Sequence, residues 1–161
     1  MKLQNIILLA VLVVLSGCKK PSEQEEGQTA IKDEIQALEN RYAKAVSSKV
    51  LDSIMPYYAD DAVSYDSEAK PLSGKKSIRA SINNKSSAYP ESEQMTFTVT
   101  EVFPSSDAEQ VVEIGHYQVK DSKGIAYGSG NYFALFEKRD GKYVCIRDIQ
   151  TPDTPRKVAV K

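Results

Sequence analysis

The chain has 161 residues, with 21 Lys and Arg against 22 Asp and Glu, one histidine and a formal charge of −1. That length suits one domain built on one core. Mixed, scattered charges offer no basic field, so nucleic acid is not an expected partner; with His116 alone and no cysteine pair the chain lacks zinc-ligand spacing, and neither a metal nor a cofactor is expected.

Lys2, the apolar run from Ile6 to Leu15 and the small residues before Cys18 follow the order of an export signal over residues 1–17. The apolar core is too short to span a bilayer, which takes about 20 residues. Leu15-Ser16-Gly17-Cys18 resembles a lipobox, cut just before a diacylated cysteine. Cys18 is therefore expected to carry lipid and to hold the mature chain in a bacterial cell envelope. Because Lys19 rather than aspartate follows it, the expected site is the outer membrane, facing the periplasm. With Cys18 in the anchor, Cys145 has no intrachain disulfide partner. Residues 19–28 contain no apolar side chain and read, with Cys18, as a lipidated, flexible tether over 18–28.

The folded domain is expected over 29–151. Ile31, Ile35, Leu38, Tyr42, Ala45 and Val46 recur at helical spacing, with Asp33, Glu34, Gln36, Glu39 and Lys44 assigned to the solvent side of a long helix. After a break at Ser47–Lys49, a second helix is expected over Leu51–Tyr58, shortened or distorted by Pro56. Residues 62–66 read as a strand and Pro71–Gly74 as a turn; a third helix runs from Lys75 to about Asn84 on Ile78 and Ile82.

Period-two alternation rich in Val, Tyr, Phe and Thr then predicts strands at 94–103, 110–120, 125–138 and 142–150. Turns at Asp121–Gly124 and Arg139–Gly141 join the later ones. Residues 152–161, with Pro152 and Pro155, form a tail leaving the sheet. Helices followed by an antiparallel meander define an α+β class. Gly115, Gly128 and Gly130 fall inside strand patterns, where they serve either as bend points or as room for neighbouring tyrosines.

Arg41-Tyr42, Leu51-Asp52, Tyr58-Ala59-Asp60-Asp61-Ala62-Val63 and Ser73-Gly74-Lys75-Lys76-Ser77-Ile78-Arg79, in that order, resemble the SnoaL-like and ketosteroid-isomerase-like proteins of the nuclear-transport-factor-2-like superfamily. The likeness covers about residues 30–151. It implies a cone: a strongly curved antiparallel sheet wrapped around the long first helix, with two shorter helices and a pocket at one end. In the isomerases a helix tyrosine donates to the substrate oxyanion and a strand aspartate moves the proton, which Tyr42 and Asp66 match. Asn131 stands nearest to the second, protonated oxyanion donor of that enzyme.

If Asn131 faces the hollow, alternation brings Tyr127, Ser129, Phe133 and Leu135 with it. The isomerase-like hairpins also place there Val112, Ile114 and His116, and Val144, Ile146, Asp148 and Gln150. His116, Ser129, Asp148 and Gln150 are thus ligand-binding candidates beside Tyr42, Asp66 and Asn131. Tyr42 reads equally as a core tyrosine, Asp66 as a turn residue, and the Asp60-Asp61 pair as structural. Two functions stay open. One is a tethered domain that binds an unknown small molecule or serves as an accessory subunit; the other is a cofactor-free proton-transfer enzyme with Asp66 as base and Tyr42 as oxyanion donor. A homodimer through the outer sheet face would suit either.

Overall fold

A computed structural model describes residues 23–66, 69–86 and 93–154. The expected signal peptide, Cys18 and the end of the tail lie outside the described residues. Among the described residues, three α-helices and a six-stranded mixed sheet make up the fold. The helices are α1 (Glu23–Ser47), α2 (Leu51–Ile54) and α3 (Lys75–Ser86). The strands are β1 (Tyr58–Asp66), β2 (Ala69–Ser73), β3 (Gln94–Pro104), β4 (Gln110–Lys120), β5 (Ala126–Arg139) and β6 (Lys142–Pro152). They lie in the order β2-β1-β6-β5-β4-β3.

Strands β3 to β6 form the expected antiparallel meander, but β1 joins β6 in parallel, so the sheet is mixed rather than wholly antiparallel. The chain reaches β1 from α1 and the short turns after it, which sets its direction along β6. Helix α1 begins six residues before the expected domain start, at Glu23. The reading of 23–28 as flexible gave weight to missing apolar groups; Glu and Gln are good helix formers, and Gln28 Nε2 donates to Val102 O at 2.8 Å.

Helix α2 ends at Ile54, not Tyr58. Pro56 lies in a 3₁₀ turn over Met55–Tyr57, since its ring cannot continue an α-helix, and β1 starts at once. Most of the segment read as a turn, Pro71–Gly74, belongs to β2, Ala69–Ser73, an edge strand paired only to β1, a place where Pro71 costs no ladder bond. Thr151 and Pro152 remain in β6, two residues past the expected strand end, so the sheet extends one residue into the expected tail.

The inner sheet face lies against α1 and carries Phe97, Val99, Val111, Tyr117, Tyr132, Ala134 and Phe136, all buried. Two bulges set which residues reach it. In β3 the register slips between Val99 and Glu101, so Val99 and Val102 both point inward. In β6 it slips at Ile146, between the pairs Phe136–Cys145 and Leu135–Arg147. Tyr143 and Cys145 face inward before that slip, and Asp148 after it.

Gly115 and Gly130 make room for tyrosines. Gly115 lies opposite Tyr132 and Gly130 opposite Tyr117. A Cβ at Gly115 would overlap the Tyr132 ring, and one at Gly130 would strike both the Tyr117 ring and the Thr151 carbonyl. Each ring occupies the space beside the glycine of the neighbouring strand. Gly115→Ala is therefore expected to lower stability by about 1–3 kcal/mol through overpacking. Urea denaturation checks this, and an unchanged midpoint would contradict the packing.

Candidate functional site

The inner face groups polar residues into cross-strand rows, because residues paired in register share a face. One row runs Asp66, Gln150, Tyr132, Gly115 and Val99; the next runs Ser64, Asp148, Ala134, Glu113 and Val102. Over them α1 lays Glu39 and Tyr42. Glu39 is four residues after Ile35 and three before Tyr42, which sets it inside the apolar stripe. Glu39 and Glu113 are fully buried.

Each buried acid has a phenol donor. Tyr57 donates to Glu39 Oε1 at 2.5 Å, Tyr132 to Glu113 Oε1 at 2.6 Å and Tyr58 to Asp148 Oδ2 at 3.2 Å. The Tyr42 and Tyr58 hydroxyls are 2.9 Å apart. Since the single Tyr58 proton goes to Asp148, Tyr42 is the donor of that bond. The order is Tyr42 to Tyr58 to Asp148. The rings also pack on one another: Tyr42 stacks on Tyr57 with centroids 4.1 Å apart, and Tyr57 meets Tyr58 edge-on at 4.9 Å.

Oε2 of Glu39 and Oε2 of Glu113 have no donor in the surrounding structure, and the two carboxyl groups act on each other. Two buried carboxyl groups that face each other can hydrogen-bond only when one carries a proton. Burial is the main cause that raises Glu39, to about 9, with the neighbouring Glu113 next. Burial likewise raises Glu113, to about 7, against the lowering effect of the Tyr132 and Glu39 hydrogen bonds. Both shifts favour the protonated form within the pair. Among the described residues, no group of three or more His, Cys, Asp or Glu side chains is arranged to hold a metal ion.

The sequence-based candidates divide between the two faces. Tyr42, Asp66, Asp148 and Gln150 are on the inner face, Asp66 half-buried at the end of β1. Asn131, Ser129 and His116 are on the outer face, contrary to the expected parity: Asn131 is exposed while Gly130 and Tyr132 on either side are buried. His116 pairs with Asn131 and Thr98 in an outer row. Ser129 Oγ donates to Asp153 Oδ2 at 2.5 Å. Val112, Ile114, Phe133 and Leu135 share this outer face, and their apolar character on a strand with two apolar sides is what misdirected the parity. In β6 the Ile146 bulge separates Val144 from Asp148, which simple alternation had grouped.

Sequence reading missed Glu39, placed on the solvent side, and Glu113, Tyr57, Tyr58 and Tyr132. The spacing of Glu39 from Ile35 and Tyr42 was the available signal. For Glu113 the signal was its alternation with Val111, Gly115 and Tyr117. Asp60 and Asp61 serve as structural charges on the surface, Asp60 meeting Lys75 at 3.0 Å and Asp61 meeting Arg139 at 2.6 Å. Two open clefts, of 550 and 300 Å³, run along the seam of α1 and β3; neither is lined by Tyr42, Asp66 or Asp148.

A six-stranded sheet folded over one long helix, with a polar cluster in its interior, defines an α+β cone of the nuclear-transport-factor-2-like kind. The model of the SnoaL-like domain family matches residues 40–146, and the chain belongs to that family. Among solved structures, an NTF-2-like protein of unknown function from Shewanella oneidensis is similar at 19% identity and TM-score 0.62, over 74% of this chain and 98% of that one. A ketosteroid isomerase-like protein from Erwinia carotovora atroseptica is similar at 16% identity and TM-score 0.58, over 76% and 96%. A protein of unknown function with a cystatin-like fold from Nostoc punctiforme is similar at 12% identity and TM-score 0.65, over 84% and 96%. These likenesses show the fold. No curated protein matches the chain significantly.

Burial, the largest cause in each case, holds the Tyr42, Tyr57, Tyr58 and Tyr132 phenols above their ordinary range, and the nearby acids add to it. Ultraviolet titration of the folded chain is expected to leave these four un-ionised past the pH at which ordinary phenols ionise, about 10. Release of phenolate from all nine tyrosines in one step, with the fold intact, would contradict the cluster.

Proposed function

We propose that the chain is a non-catalytic small-molecule-binding or accessory domain of SnoaL-like type, tethered by lipid on Cys18 to a bacterial membrane, on the periplasmic face of the outer membrane. The observation that carries the non-catalytic reading is the commitment of the Tyr42 proton. Its hydroxyl donates to Tyr58, which donates to Asp148, and stacked rings surround it. A substrate oxyanion would have to break that bond before Tyr42 could serve it. Polar groups at the end of the inner face, Asp148, Gln150 and Asp66, are the ones a small polar guest would meet.

Tethering rests on the sequence of the export signal and lipobox. Among the described residues no helix is long and apolar enough to cross a membrane. The alternative, proton abstraction beside a carbonyl, draws on one observation: Tyr42, Asp148 and Asp66 share the inner face. It would use Asp66 as base and Tyr42 as donor, without a cofactor.

Native mass spectrometry of the chain extracted from its own membranes tests the proposal. The expected species begins at Cys18 with a diacylglyceryl group and retains a non-covalent small molecule that Gln150→Ala releases. An unlipidated chain would overturn the tether, and an empty chain would overturn binding. Uptake of solvent deuterium beside the carbonyl of a ketone would turn the account to the enzyme.

We further propose a homodimer through the outer sheet face. Tyr65, Ile149, Phe133 and Ile114 form one cross-strand row there; the first three are exposed, as is Phe103 in the adjoining row. A two-fold contact would cover these rows with their own copy. Light scattering is expected to give a dimer that Phe133→Lys converts to a folded monomer; a wild-type monomer would contradict it.

A further inference from the structure

Helix α1 is fastened to the sheet along two lines. The first follows the sheet edge, where β3 is the terminal strand. Gln28, Lys32 and Gln36, spaced four residues apart along one side of α1, bond to its backbone. Gln28 and Lys32 donate to the carbonyls of Val102 and Thr100, and Gln36 both donates to Phe97 O and accepts from Val99 N–H. Ser47 accepts from Met95 N–H. Helix side chains thus occupy groups that an edge strand otherwise presents to another chain.

The second line lies inside the fold, where Glu39 of α1 and Glu113 of β4 are both fully buried and act on each other, each with Oε1 bonded to a phenol and Oε2 left without a donor. The titratable groups facing this pair are Tyr42 from the same helix, Tyr57 and Tyr58 from the following turn and β1, Tyr132 from β5, and Cys145 and Asp148 from β6. All are neutral or acidic. Among the described residues, the influences named on Glu39 and Glu113 are burial, each other, the Tyr57 and Tyr132 phenols and Asp148.

We propose that Glu39 and Glu113 form a proton-sharing latch between α1 and β4, and that losing the shared proton releases α1 from the β3 edge. With the proton the contact is a hydrogen bond. Without it, two full negative charges face each other out of water, and separating the two elements or admitting water is the relief. Opening is local because β4, β5 and β6 are held to one another by their own ladders, whereas α1 is held by side chains.

The sign follows from the shifts. In the unfolded chain both carboxyls titrate in the ordinary range; in the folded pair they titrate higher, so the native state binds more protons between those limits. The stabilisation is complete on the acid side and falls as pH rises through neutrality into the alkaline range.

Hydrogen exchange of the intact chain, corrected for the intrinsic effect of pH, reads the latch directly. Protection of the Met95 and Val99 amides and of α1 is expected to fall at least about tenfold between about pH 6 and about pH 9, with β5 and β6 little changed. Glu39→Gln, whose amide can still donate to Glu113, is expected to keep that protection at the higher pH. Equal loss in every strand, or the same loss in Glu39→Gln, would overturn the proposal. Should that variant not fold, Glu113→Gln gives the same reading. Infrared spectra of the unsubstituted chain near neutrality add a check that needs no variant: a protonated-acid carbonyl band supports the latch, and its absence overturns it.

Discussion

A carboxylate taken out of water needs a donor for each oxygen or a proton of its own, and the interior of this cone is arranged around that requirement. Three acids, Glu39, Glu113 and Asp148, lie among four tyrosines, and each acid receives one phenol hydrogen bond. The phenols are placed by backbone features. Gly115 leaves the space in which the Tyr132 ring lies before its hydroxyl reaches Glu113. Pro56 ends the second helix so that Tyr57 and Tyr58 enter the core on successive residues, and the Ile146 bulge turns Asp148 toward Tyr58. The phenols leave the second oxygens of Glu39 and Glu113 unmet, and the proposed shared proton is what would satisfy them.

This arrangement bears on function through what it uses up. A tyrosine that ends a relay to a carboxylate differs from one pointing into an empty hollow, even where both sit on the same turn of the same helix. Membership of the SnoaL-like family fixes the cone; the chemistry depends on which side chains face inward and what they already bind. Here the inward polar groups are largely engaged with one another, a pattern suited to a rigid scaffold.

Much of the architecture was legible because it follows from periodicity. Ile35, Tyr42 and Ala45 at helical spacing gave α1, and alternation gave β3 to β6 with boundaries close to those observed. The motif order from Arg41 to Arg79 pointed to the family. Face assignment was not legible in β4 and β5, since both sides of these strands are apolar: Ile114 and Phe133 outside are as hydrophobic as Val111 and Phe136 inside. Asn131, Ser129 and His116 were therefore sought in the hollow and lie on the outer face. Bulges at Thr100 and Ile146 shift alternation by one residue with no mark in the sequence, so Asp148 and Val144 could not be separated. Glu39 was set with the solvent-facing charges by residue type although its spacing placed it among Ile35 and Tyr42.

The claim on which the interior depends is that a single proton lies between two buried glutamates. Neutron diffraction from crystals exchanged into heavy water at neutral pD locates it directly. The account predicts deuterium density between the Glu39 and Glu113 carboxyl oxygens, with the Tyr57 and Tyr132 deuterons directed at the outer oxygens of the pair. Two fully ionised carboxylates, separated or bridged by water or a cation, would contradict it.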